Sequence, residues 1–181
     1  MEGVLRLFFA LPLPPRMQEA LGIWDRAHPG IRGWCRPGDL HLTLAFLGEL
    51  PPDALPGLED AARAVAAGHR PFTLRTAGLD GFADARRARV IWLGLEPCPV
   101  LEGLAADLRR ALVARGVPFD PKPFRPHLTL ARLRRPRPAG AFPPPAPGTF
   151  PAERIVLFES RQPAGYLPLR AWPLGPPDPG V

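Results

Sequence analysis

One strand-like heptapeptide occurs twice in this chain. His41-Leu42-Thr43-Leu44-Ala45-Phe46-Leu47 returns as His127-Leu128-Thr129-Leu130-Ala131-Arg132-Leu133, the two differing only where Phe46 stands against Arg132. Along a β-strand, residues two apart face the same way. His41 and Thr43 therefore share one face, and Leu42 and Leu44 the other; the second copy repeats this with His127, Thr129, Leu128 and Leu130. A chain with such a strand in each half must bury two leucine faces and present two imidazole–hydroxyl faces. If the halves pack about an approximate two-fold axis, those polar faces meet across a cleft.

The rest of the sequence frames these two strands. Val4–Leu11 is rich in apolar and aromatic residues and predicts a buried strand closed by the prolines at 12, 14 and 15. Met17, Leu21 and Trp24 recur at helical spacing up to about His28. After the His41–Leu47 strand, stopped at Gly48, Asp53 is placed to cap a helix running to about Ala67. Phe72–Leu79 and Arg89–Leu95 predict two strands, and Cys98–Arg115 a third helix ended by Gly116. Phe124–Leu133, Arg154–Glu159 and Tyr166–Trp172 complete about seven strands and three helices. Their mixed order, without βαβ alternation, predicts an α+β fold with antiparallel sheet. The whole of 1–181 is expected to be one domain, with a proline-rich loop at about 136–151 and a proline-rich tail at about 173–181.

Composition matters at three points. The 28 prolines and 18 glycines would warn of disorder, but they cluster in loops and leave enough Leu, Val, Ile and Phe for a core. No apolar run approaches the ~20 residues of a membrane span, and the first residues lack a basic secretion-signal region, so a cytoplasmic protein without a membrane partner is expected. The net charge is +6, and every basic residue except Lys122 is arginine. Codon bias accounts for much of that preference, yet the guanidinium fork suits phosphate. Cys35 and Cys98 form no CxxC and are expected to be reduced.

Two imidazoles on opposite sides of a phosphorus atom can serve as general base and general acid in an in-line displacement. With an ordinary pKa of ~6.5, histidine supplies both protonation states near neutrality. The hydroxyls of Thr43 and Thr129 can donate to the non-bridging oxygens, where charge sits in the transition state. The chain has no HExxH, clustered carboxylates or Cys/His metal spacing, so neither metal nor cofactor is expected. His28 and His69 lie near predicted helix ends, where capping or charge roles are expected.

The paired H-x-[ST]-x motifs, His41–Leu44 and His127–Leu130, resemble those of the RNA 2′,3′-cyclic phosphodiesterases (2′-5′ RNA ligase-like proteins) of the 2H phosphoesterase superfamily. The similarity extends to Arg6–Ala10, to Trp34 with Arg36 and Pro37, to Val90–Leu95, to Pro123–Pro126, and to Glu159, Ser160 and Tyr166. It implies a bilobal fold in which two pseudo-two-fold-related lobes line a central cleft with antiparallel sheet and keep helices outside. It also implies metal-independent opening of a 2′,3′-cyclic phosphate to a 2′-phosphate, on RNA 3′ ends or nucleotides. By this resemblance His41 is the proton donor, His127 the proton acceptor, and Thr43, Thr129 and Arg132 bind phosphate. A monomer is expected. In a regular strand Arg132 shares the parity of Leu128, so it needs a bulge or a strand end to reach the cleft. Phe46 shares the parity of Leu42 and Leu44 and is expected in the core, while Trp34 is a possible base-stacking platform.

Two arginine runs remain, Arg132/Arg134/Arg135/Arg137 and Arg86/Arg87/Arg89, either of which can track an RNA backbone. Two other activities fit the motifs. The same histidines can run the reverse reaction, ligating a cyclic phosphate end to a 5′-hydroxyl without a nucleotide-activation loop. A binding module that does not cleave is the third reading, but it has no need of two proton-transfer groups.

Overall fold

The computed structural model describes residues 3–28, 33–82, 84 and 86–175. Eight strands and three helices follow one another as β1 (Leu5–Pro12), α1 (Pro15–Arg26), β2 (His41–Leu50), α2 (Leu55–Ala67), β3 (Phe72–Phe82), β4 (Ala88–Leu95), α3 (Pro99–Val113), β5 (His127–Arg137), β6 (Thr149–Ala152), β7 (Arg154–Ser160) and β8 (Tyr166–Pro173). The strands form an antiparallel sheet in the order β6-β3-β4-β5-β2-β1-β7-β8. Its first half is β2, β1, β7 and β8; its second half is β5, β4, β3 and β6. The order is symmetric about the β2–β5 junction, and β1-α1-β2 repeats as β4-α3-β5. The two duplicated strands are therefore the innermost ones, joined at the pair Leu42↔Leu128.

Chain connectivity bends this sheet. Between β6 and β7 lie six strand spacings, which at ~4.8 Å each is about 29 Å if the sheet were flat. The chain crosses from one to the other through Glu153 alone, and Cα atoms two residues apart reach only about 7 Å. The sheet must curl until its halves face one another. Residues 149–160 then act as one extended strap, pairing first with β3 of the second half and then with β1 of the first.

The leucine faces meet the helices on the outer side. Leu42, Leu44, Leu128 and Leu130 belong to one core with Met17 and Leu21 of α1, Leu58 and Val65 of α2, and Leu101, Leu104, Leu108 and Leu112 of α3. All three helices carry proline in the first turn, where its missing N–H leaves no bond unmade. No helix among the described residues is long and apolar enough to cross a membrane.

Four local expectations change. Asp53 does not cap α2; it lies in a short 3-10 turn, Pro52–Ala54, and the helix starts at Leu55 without a side-chain cap. The strand expected from Phe124 begins at His127 and continues to Arg137, because Pro123 and Pro126 hold the preceding segment out of the ladder. Gly48 does not stop β2; with φ of +76° it sits inside a strand running to Leu50. The proline-rich loop is shorter than expected, since Thr149–Ala152 is an eighth strand. Pro151 is tolerated there because β6 is an edge strand. Of the proline-rich tail, residues 176–181 lie outside the described residues.

Candidate active site

Both histidines begin their strands, and both are clamped identically. The Nδ1 of His41 lies 2.7 Å from the carbonyl oxygen of Asp39, and that of His127 lies 2.7 Å from the carbonyl oxygen of Arg125. A carbonyl only accepts, so each Nδ1 carries the proton and each Nε2 is left for proton transfer.

Aromatic rings hold each imidazole. His41 packs against Phe8, Tyr166 and Phe158, with ring centroids 4.7, 4.9 and 6.1 Å away. His127 meets Phe82 at 4.9 Å and Trp92 at 5.8 Å, and the guanidinium of Arg125 lies 5.8 and 5.7 Å from the centres of those same two rings. Burial lowers the pKa of His41 from 6.5 to about 4; the Asp39 carbonyl and carboxylate oppose that shift, and the charges of Arg132 and His127 reinforce it. Burial also lowers the pKa of His127, opposed by the Arg125 carbonyl and reinforced by Arg132 and Arg125.

Strand register places the threonines and explains Arg132. Thr43 pairs with Ala10 and Ala45 with Phe9, leaving Leu44 as the extra residue; Thr129 pairs with Trp92 and Ala131 with Ile91, leaving Leu130 as the extra residue. The same β-bulge thus interrupts both copies of the motif. Beyond it the parity inverts, so Leu44-Ala45 and Leu130-Ala131 are consecutive buried residues and the next side chain turns out of the core. In β5 that side chain is Arg132, close enough to both histidines for its charge to lower both pKa values. Gly33 secures the bulged stretch. Its carbonyl accepts the Arg132 N–H at 2.8 Å, and a Cβ there would collide with the Arg132 carbonyl oxygen.

In β2 the corresponding side chain is Phe46, which corrects the expectation of a core residue. Phe46 is half-buried, pairs with Phe8 across the strands, and carries the Arg6 guanidinium 5.1 Å from its ring centre. Trp34 does not stand free as a platform. It packs edge-on against Trp24 and Phe142, at 5.1 and 6.1 Å. His28 bonds the Trp24 carbonyl at the end of α1, and His69 pairs with Asp107 at 2.8 Å, linking α2 to α3. Cys35 and Cys98 are free thiols. Among the described residues, no group of three or more His, Cys, Asp or Glu side chains is gathered as a metal site.

Motif and periodicity do not single out Asp39, Arg125 or the five aromatic residues around the histidines. Asp39 and Arg125 do carry a signal, since each stands two residues before its histidine. The aromatic set depends on cross-strand register.

Comparison with known proteins agrees with this architecture. The 2′-5′ RNA ligase superfamily matches residues 26–163. An RNA 2′,3′-cyclic phosphodiesterase of Escherichia coli K12 is 36% identical over 93% of this chain and 96% of its own length. One from Geobacillus stearothermophilus is 33% identical over 94% of this chain, which spans only 58% of that longer relative. The apo crystal structure of E. coli LigT superposes with a TM-score of 0.80 at 32% identity, covering 96% of this chain and 99% of that one; LigT has also been crystallised with 3′-AMP and with phosphate.

Proposed function

Because the chain belongs to the 2′-5′ RNA ligase superfamily, we propose that it hydrolyses the 2′,3′-cyclic phosphate of RNA 3′ ends and small nucleotides to a 2′-phosphomonoester, with His41 as proton donor and His127 as proton acceptor. It is an enzyme of cyclic phosphodiester hydrolysis, as its curated relatives are. The observation that supports a two-histidine scheme is the pair of identical Nδ1 clamps, which leave two Nε2 atoms on strands related by the sheet's pseudo-symmetry, while the donor and acceptor roles follow the family resemblance.

In the proposed step, water attacks phosphorus opposite the 3′-oxygen. His127 Nε2 takes a proton from the water as the new P–O bond forms. The P–O3′ bond breaks, and His41 gives its Nε2 proton to the departing oxygen. The histidines end with exchanged protonation and are reset by solvent. The side chains of the two clamping residues favour this direction, while the Arg132 charge opposes it at His41. The Asp39 carboxylate raises the pKa of His41, and the Arg125 guanidinium lowers that of His127. Burial by itself keeps His41 neutral at pH 7; an arriving phosphodiester anion favours its protonation. The Thr43 and Thr129 hydroxyls and the Arg132 guanidinium are assigned to the non-bridging oxygens.

Both motif histidines lie on strands that adjoin at Leu42↔Leu128, so one copy of the chain supplies both proton-transfer groups, and the proposed unit is a single bilobal monomer working without metal or cofactor. RNA ends as substrate favour a cytoplasmic location. The test is turnover of a 2′,3′-cyclic mononucleotide with excess chelator, separating 2′- from 3′-monophosphate. Accumulation of the 3′-monophosphate would reverse the assigned leaving group, and no turnover would refute hydrolysis.

A further inference from the structure

The sheet's pseudo-symmetry provides an internal comparison of its two ends, and their charges differ. At the far end of the β4–β5 ladder, Val90 pairs with Arg132 and Ala88 with Arg137. Two steps along β4 are thus matched by five along β5, so Leu133–Pro136 bulge out opposite Arg89. Leu133 anchors the bulge in a small core with Ala88, Ile91, Ala139 and Phe142. The two arginine runs, distant in sequence, therefore form one surface. Arg86, Arg87, Arg89, Arg134, Arg135 and Arg137 are all exposed on it, and exposed Arg132 connects it to the histidines.

None of these seven arginines has an acidic side-chain partner among the described residues. The nearby carboxylates serve the backbone instead. Asp84 accepts the Arg86 N–H at 2.9 Å, and Asp80 accepts the Gly81 N–H at 2.7 Å. The equivalent end of the β1–β2 ladder is mixed in sign. There Arg6 pairs with Glu49 in register, Leu7 with Glu159, and Glu159 holds Arg161 at 2.8 Å.

We propose that single-stranded RNA 5′ of the cyclic phosphate leaves the cleft over the β4–β5 end, its phosphates tracked by both arginine runs together, and not over the β1–β2 end. Exposed, unpaired guanidinium groups converging from two strands neutralise successive phosphates without reading sequence. Seven unpaired like charges on one end carry a cost in mutual repulsion that a polyanion removes. The inference rests on the hydrolase reading of the same cleft.

The test compares binding of an oligoribonucleotide ending in 2′-phosphate across a salt series, which needs no turnover. Two triple variants are used, Arg134→Gln/Arg135→Gln/Arg137→Gln and Arg86→Gln/Arg87→Gln/Arg89→Gln, with Arg6→Gln/Arg161→Gln as the control at the other end. Each lost phosphate contact removes about 0.7 from the slope of log K against log salt. Each triple variant is expected to flatten the slope by up to about two units, and the control to keep the parent's slope. In parallel, kcat/KM for a cyclic-phosphate oligonucleotide should fall relative to that for a cyclic mononucleotide in both triple variants. A parent slope in either triple variant, or equal flattening in the control, overturns the proposed path. If the parent enzyme turns over neither substrate, the hydrolase reading has failed instead, and the binding slopes still decide the path.

Discussion

The carbonyls of Asp39 and Arg125 hold His41 and His127 at the same 2.7 Å, while the side chains of these two clamping residues carry opposite charges. The geometry of the two imidazoles is duplicated, and their electrostatics is not. Asp39→Asn removes the anion that raises the His41 pKa, whereas Arg125→Gln removes a cation that lowers the His127 pKa. With the donor required protonated and the acceptor neutral, the kcat/KM profile of the parent should be a bell with its maximum on the acid side of pH 6.5. Asp39→Asn should move the limb set by His41 to lower pH, and Arg125→Gln the limb set by His127 to higher pH. Limbs that stay in place in both variants would show that the side chains do not tune the pair; a parent rate rising steadily to pH 9 would point to hydroxide attack.

His41→Ala and His127→Ala should each lower kcat by ~10²–10⁴, the range for losing one proton-transfer partner. The double variant should be far less than multiplicatively worse, because the two residues act as a unit. Near-normal kcat in either single variant would remove that histidine from the mechanism.

Thr43→Val and Thr129→Val should lower kcat more than they raise KM, since their hydroxyls are assigned to charge that grows in the transition state. Both residues are half-buried, and valine keeps the shape while removing the hydroxyl. An unchanged kcat in both would make them structural strand residues.

The lowered pKa of His41 has a consequence for stability that does not depend on substrate. Its folded value is about 4 and its unfolded value about 6.5, so the unfolded chain binds the proton more tightly between these limits. The contribution is complete above pH 6.5 and is lost as pH falls towards 4, amounting to about 3 kcal/mol at 1.36 kcal/mol per pKa unit. His41→Gln should flatten the decline of Tm over that interval relative to the parent. Parallel Tm curves would mean that His41 titrates normally in the folded protein.

Excess chelator should leave turnover of a cyclic mononucleotide unaffected. Inhibition that is reversed by zinc or manganese would replace the two-histidine scheme with metal-assisted attack.

The repeated heptapeptide makes the matched pair of strands, the buried leucine face and the two histidines legible from the amino-acid order alone. Period-two reasoning fails at one place in each copy, the bulges at Leu44 and Leu130, and it misplaces Phe46 as a result. A signal is present: two adjacent apolar residues, Leu130 and Ala131, followed by a charged one, do not fit a regular half-buried strand. The aromatic surroundings of the histidines are not legible, because Phe8, Phe82, Trp92, Phe158 and Tyr166 meet them only through cross-strand register. The strand Thr149–Ala152 is hidden by Pro151, whose cost disappears only at a sheet edge.

The strap formed by residues 149–160 also sets when the protein can fold. Neither half of the sheet is contiguous in the chain: β1 waits for β7, pairing Leu7 with Glu159, and β3 waits for β6, pairing Phe72 with Ala152. During synthesis the two histidine strands are complete by residue 137, yet both halves still show open edges to other chains. Contacts of such long sequence separation carry a large loop-closure entropy and slow the final step. A nascent chain therefore holds both motif histidines well before it holds a cleft, and the strap closes both halves at once.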